Sequence, residues 1–137
     1  MSEKLIINAD GGSRGNPGSA AIGIIIRNER NEILIKHKEI IGKQTNNFAE
    51  YSSLIKALKL AKELTSGEIE IIMDSELVVR QLNGKYKVKS PNLKALNEEA
   101  TSLLKNFSKV IFSNVPREDK FQSLADKLVN DALDQNS

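Results

Sequence analysis

The order of apolar patterns predicts an α/β fold: a five-stranded mixed sheet with helices on both faces. Three observations carry it. Three strand-like runs come first, and the second and third are joined by a short turn. Two later strand-like runs each follow a segment of helical period. A last helical segment closes the chain. Runs joined by short turns pair antiparallel, and strands reached by helical crossovers pair parallel. Strands one to three therefore form a meander, and strands four and five can be parallel neighbours of strand one.

Taken in order, Leu5-Ile6-Ile7 leading to Asp10 reads as a short buried strand. "DGGSRGNPG" (10–18) reads as a loop of turn-forming residues. "AAIGIIIRN" (20–28) is a second strand, rich in β-branched residues. "NERN" (28–31) turns the chain into a third strand, "EILIKHKEII" (32–41). From Asn46 the period changes: Tyr51, Leu54, Ile55, Leu58 and Ala61 follow helical spacing, with Asn46 or Asn47 able to cap the start. "EIEIIM" (68–73) is the fourth strand, ending at Asp74. A short helix from Ser75 to about Asn83 stops at Gly84. "GKYKVKSP" (84–91) is a basic connector. Leu93, Leu96, Ala100, Leu103, Leu104 and Phe107 mark a second long helix, "KVIFSNV" (109–115) the fifth strand, and Leu124, Leu128, Val129 and Ala132 the last helix. No repeat or linker divides the chain, so residues 1–137 are expected to form one domain.

Composition narrows the function classes. The 137 residues are 39% hydrophobic and 28% charged, as in soluble globular proteins. No run approaches the roughly 20 apolar residues of a membrane span, and the N-terminus lacks a signal-peptide pattern. There is no cysteine, which removes disulfide, thiolate and zinc-finger chemistry. A cytoplasmic location fits. The net charge of +2 is too small to announce a polyanionic partner by itself. The Gly-rich stretch is not a phosphate loop of a nucleotide fold, since it lacks Gly-Lys-Ser/Thr and leads into a strand.

The carboxylates carry more. Asp10 ends strand one and Asp74 ends its parallel neighbour, so both emerge at the sheet edge where open α/β sheets place ligands. Glu50 is read in the first turn of the first long helix and Asp126 near the start of the last. For each of these two, a helix-dipole role is the bland alternative. Four carboxylates together repel one another unless protonated or bridged by cations. An oxygen-only set with a single histidine in the chain suits Mg²⁺ or Mn²⁺. Two such ions are the usual machinery for displacement at phosphorus. Lys85, Lys87 and Lys89 alternate around Tyr86, so on an extended segment they share a face suited to phosphates.

Four segments, "DGGSRGNPG" (10–18), "TNNFAEY" (45–51), "MDSELVVRQLNG" (73–84) and "VPREDKFQSLAD" (115–126), resemble type 1 ribonuclease H in sequence and order. The likeness is to the compact branch without an inserted basic helix, and covers nearly the whole chain. It implies the ribonuclease H-like fold. It also implies cleavage of the RNA strand of RNA–DNA hybrids with two metal ions, leaving 5′-phosphate and 3′-hydroxyl ends. Asp10, Glu50, Asp74 and Asp126 match the metal-binding quartet: Asp10 bridging both ions, Asp126 serving the one that activates water, Glu50 and Asp74 the one at the leaving group. Ser13, Gly15 and Asn16 match positions that meet 2′-hydroxyls in the RNA minor groove. Asn46 falls near that groove, and Thr45 and Asn47 at a phosphate of the DNA strand.

Many relatives carry a histidine shortly before the last aspartate, and this chain does not. His37, in strand three, is read as structural, leaving Arg117, Glu118 or Lys120 as stand-ins. Glu76 stands where relatives often have glutamine, a poor neighbour for phosphate if it faces the substrate. A proofreading exonuclease would carry Asp-x-Glu on strand one, whereas Gly11 and Gly12 follow Asp10. An idle hybrid-binding module would not need all four acids. Duplex RNA stays open as a second substrate. A monomer is expected, since no long exposed apolar stripe stands out.

Overall fold

The computed structural model describes residues 4–84, 87–113 and 119–135. Its elements run β1 (Leu5–Gly15), β2 (Gly18–Asn28), β3 (Ile33–Gln44), α1 (Asn46–Lys62), β4 (Glu68–Ile72), α2 (Glu76–Leu82), α3 (Pro91–Leu104), β5 (Lys109–Ser113) and α4 (Lys120–Gln135). They build one five-stranded sheet in the order β3-β2-β1-β4-β5. β1, β2 and β3 pair antiparallel, while β4 pairs parallel with both β1 and β5. The mixed sheet expected from the element order is therefore present. No described helix is long and apolar enough to cross a membrane.

Both faces of the central strands are covered, which is why β2 reads as a nearly continuous apolar run. Ile22, Ile24 and Ile26 pack with Tyr51, Leu54 and Leu58 of α1. Ala21 and Ile25, on the opposite face, pack against α4 through Val129, Ala132 and Leu128. Burying each of these isoleucines is worth about 1.5–3 kcal/mol. The five positions that set the α1 period, from Tyr51 to Ala61, are all buried. β3 is an edge strand, and its exposed lysines Lys36, Lys38 and Lys43 discourage pairing with another chain.

The largest difference from the sequence reading lies at residues 10–18. They form no loop. β1 runs through to Gly15 and β2 starts at Gly18, with Asp10 opposite Gly23 and Gly15 opposite Gly18. Only Asn16-Pro17, joined by a cis peptide bond, lies between the strands. Gly11 in this hairpin and Gly23 further along β2 serve close packing. A Cβ on Gly11 would lie 2.2 Å from the carbonyl oxygen of Ala49 in α1, and one on Gly23 would lie 2.4 Å from that of Ala125 in α4. Each helix thus presses on the sheet where a glycine leaves room.

Helix starts also shift. Thr45, rather than Asn46 or Asn47, caps α1 by accepting from Phe48 N–H at 3.1 Å. α3 begins at Pro91 behind a Ser90 cap, and α4 begins at Lys120, where Asp119 accepts from the N–H groups of Phe121 and Gln122.

Candidate active site

β4 stops pairing with β1 at Asn8–Ile72, but β1 continues seven residues further, to Gly15. Backbone groups two residues apart on a strand point to the same side. Past the end of β4, the groups of Ala9 and Gly11 on that side need other partners. Two side chains supply them. Gln122 Nε2 of α4 donates to the Ala9 carbonyl at 3.3 Å, and Glu50 Oε1 of α1 accepts from Gly11 N–H at 2.7 Å. The unpaired stretch of β1 is thus where both helices are fastened, and Asp10 sits between the two fastenings.

The four acids named from the sequence line one cleft of about 230 Å³, together with Gly12 and Ser13. Asp10 and Glu50 are buried at 7% and 6% exposure, and Asp74 and Asp126 are exposed at its rim. Asp74 stands between the end of β4 and Ser75, the cap of α2. Two local readings change. Glu50 is the fifth residue of α1, and Asp126 the seventh of α4, so neither lies in a first helical turn. The helix dipole therefore does not account for them.

Electrostatics sets this cluster apart. Burial, then the charge of Glu50, then that of Asp126 push the Asp10 carboxyl from 3.8 up to about 9. Asp10 and Asp126 share a side-chain hydrogen bond. Burial raises Glu50 from 4.5 to about 7 and the charge of Asp74 adds to it, against the opposing hydrogen bonds from Gly11, Asp10 and Ser75. Shared protons are one remedy for such crowding, and a hard divalent cation is the other. Among the described residues, no three acidic or imidazole groups form a preset cation cage. The donor chemistry fits the metal: carboxylates only, two buried and two at a solvent-open rim.

The remaining predicted positions separate into two places. Ser13 and Asn46 line the acidic cleft, and the Ser13 hydroxyl donates to the Gly15 carbonyl. Asn16, Thr45 and Asn47 line a neighbouring hollow of about 280 Å³ with Ser90 and Asn92 at the start of α3. Asn16 Oδ1 accepts from Asn46 N–H at 3.0 Å and so ties the hairpin tip to α1. Gly15 is exposed at that tip with φ of 109°. Lys87 and Lys89 are exposed on either side of half-buried Val88, as the alternation requires. Lys85 lies outside the described residues, as do Arg117 and Glu118. His37 pairs with Glu39 at 2.9 Å on β3 and does not line the cleft. Glu76 is held by Arg80, one turn along α2, at 2.5 Å.

Three groups escaped the sequence reading. Asn130 donates to the backbone and the carboxylate of Asp126, one helical turn earlier, and the i, i+4 spacing could have flagged it. Arg14 lines the cleft and alternates with Asp10 and Gly12 along β1. Gln122 stands one turn before Asp126 and is 1% exposed, but glutamine spacing alone carries no signal for a buried role.

Comparison with known proteins agrees with this architecture. Residues 8–132 match the reverse transcriptase-like family model. The chain is 43% identical over 132 residues to the bifunctional protein Rv2228c of Mycobacterium tuberculosis, covering 96% of this chain and 36% of that protein. It is 40% identical over 125 residues to ribonuclease HI of Halobacterium salinarum, covering 91% of this chain and 62% of that protein. It thus spans about a third of the mycobacterial relative and under two thirds of the haloarchaeal one. With the ribonuclease H of Clostridium botulinum it shares 32% identity over 97% of each chain. The solved N-terminal RNase H domain of Rv2228c superposes with a TM-score of 0.91 at 43% identity, over 98% of this chain and 96% of that one. LC11-RNase H1, solved in complex with an RNA/DNA hybrid, gives 0.87 at 42% identity, over 96% of this chain and 98% of that one. Agreement over this much of both sequence and backbone exceeds a shared fold, and the chain belongs to the type 1 ribonuclease H family.

Proposed function

We propose that the chain is an endoribonuclease that hydrolyses the RNA strand of RNA–DNA hybrids, leaving 5′-phosphate and 3′-hydroxyl ends. The observation that carries this reading is the convergence of Asp10, Glu50, Asp74 and Asp126 on one open cleft, with Asp10 and Glu50 buried and raised in pKa. The likeness to LC11-RNase H1, solved with an RNA/DNA hybrid, supports the substrate class.

Asp10, Glu50, Asp74 and Asp126 would hold two Mg²⁺ ions, or Mn²⁺ in their place. Bound there, such ions lower the pKa of a water and neutralise charge on the scissile phosphate. The chain's own residues do the positioning. The 2.7 Å bond from Gly11 N–H fixes one Glu50 oxygen. Asn130 braces Asp126 against rotation. Ser13, Gly15, Asn16 and Asn46 would meet the sugar edges of the RNA, where 2′-hydroxyls distinguish it from DNA. Thr45 and Asn47, in the neighbouring hollow, would grip a DNA-strand phosphate, and Lys87 and Lys89 phosphates further along.

The test is cleavage of an end-labelled hybrid in Mg²⁺ or Mn²⁺, beside single-stranded RNA, duplex RNA and duplex DNA. Cutting confined to the RNA of the hybrid is expected, with Asp10→Asn slower by about a hundredfold or more. An Asp10→Asn protein that cuts at the normal rate sinks the mechanism. A chain that binds hybrid without cutting it in either metal is a binding module instead.

A further inference from the structure

Among the described residues lining the acidic cleft, Arg14 is the one cationic side chain. It sits four residues beyond Asp10 on β1, opposite Ser19. Even-numbered residues of β1 face α4: Asn8 bonds Gln122, Gly12 lies against Val129, and Arg14 reaches Asp134. At about 3.3 Å per residue, the Cα of Arg14 is about 13 Å along the strand from that of Asp10.

Arg14 Nη2 donates to Asp134 Oδ1 at 2.6 Å, with the two side chains 46% and 65% exposed. A pair so open contributes little to folding and is screened by salt. Asp134 also stands in the last turn of α4, where a carboxylate opposes the helix dipole. The Asp134 carboxylate holds the Arg14 guanidinium beside a cleft that also carries four carboxylates. A phosphodiester entering that cleft meets repulsion from carboxylates. A guanidinium offers it two parallel N–H groups, the geometry that matches phosphate oxygens best.

We propose that Arg14 binds a phosphodiester of the substrate strand next to the one being cut, and that Asp134 competes for it, releasing the guanidinium as the polynucleotide enters. The proposal rests on the hybrid-cleaving reading above.

Binding of a fluorescent RNA–DNA hybrid is measured by anisotropy in an Asp10→Asn background over a series of NaCl concentrations. Cleavage kinetics are followed in the otherwise unaltered protein. Arg14→Ala is expected to weaken binding about fivefold to twentyfold and to flatten the dependence of log Kd on log salt by about one. KM rises accordingly, with kcat within about threefold. Arg14→Lys keeps the salt dependence but loses part of the affinity, since lysine is a point charge. Asp134→Asn tightens binding about twofold, and that gain disappears when Arg14→Ala is added. Unchanged affinity and salt dependence in Arg14→Ala, beside normal cutting by the unaltered protein, overturn the Arg14 assignment alone. A gain from Asp134→Asn that survives without Arg14 overturns the competition. Failure of the unaltered chain to bind the hybrid overturns both the proposal and the reading beneath it.

Discussion

Asp10 is a carboxylate held where a carboxylate is costly, and its titration follows from that. Its folded pKa of about 9 lies above the unfolded value of 3.8, so the native state holds the proton more tightly. The stability this contributes is fully present below pH 3.8, declines as pH rises, and is gone above about 9. Glu50 adds the same sign between 4.5 and about 7. Without divalent cations, the urea midpoint of the protein should therefore fall between pH 5 and 9. Asp10→Asn should be more stable than the parent at neutral pH and show a shallower fall. Parallel curves for the two proteins would mean that Asp10 is not the strained group. The four acids were legible in the sequence because chemistry restricts where carboxylates can gather. Arg14 was not, because one arginine in a strand looks like any surface cation until α4 and its Asp134 are folded against it.

Three of the acids stand on elements, Asp10 on β1, Glu50 on α1 and Asp126 on α4, and Asp74 stands at the junction of β4 and α2. α4 approaches β2 over Gly23 and is latched by Gln122, which donates to Ala9 and accepts from Asn8 Nδ2 at 3.1 Å. Arg27 extends the latch: Nε donates to Asn8 Oδ1 at 3.4 Å, and the guanidinium lies 4.0 Å from the centre of the Phe121 ring. Gln122→Ala leaves buried partners on Ala9 and Asn8 unsatisfied, at a cost of about 1–3 kcal/mol. It also loosens the helix that carries Asp126. The expected result is a kcat lowered about tenfold with KM nearly unchanged, since no group thought to touch substrate is altered. A KM effect without a kcat effect would argue against the latch. Helix and strand periods were readable from the apolar pattern. The hairpin at 10–18 was not: its glycines and proline have the composition of a loop, and the reason Gly11 must be small, the carbonyl of Ala49, is supplied by a distant part of the chain.

At the scale of the whole molecule, one sheet carries two helices on opposite faces, and their acids meet at the margin between them. Strand directions were predictable because short turns and helical crossovers admit few topologies; β5, however, pairs with β4 at the sheet edge and is not a neighbour of β1. Metal affinity and global stability should be coupled through this site. Mg²⁺ at ten times its dissociation constant should raise the melting temperature by about 5 °C. That gain should largely vanish in Asp10→Asn. An equal rise in both proteins would place the ion elsewhere.

β1 outruns β4, and a glutamate stands in for the missing neighbour by taking the amide hydrogen of Gly11. That hydrogen is consequently a built-in gauge of the glutamate's state. Its NMR shift and its exchange with deuterium should follow protonation of Glu50 and report cation arrival before any nucleic acid is added.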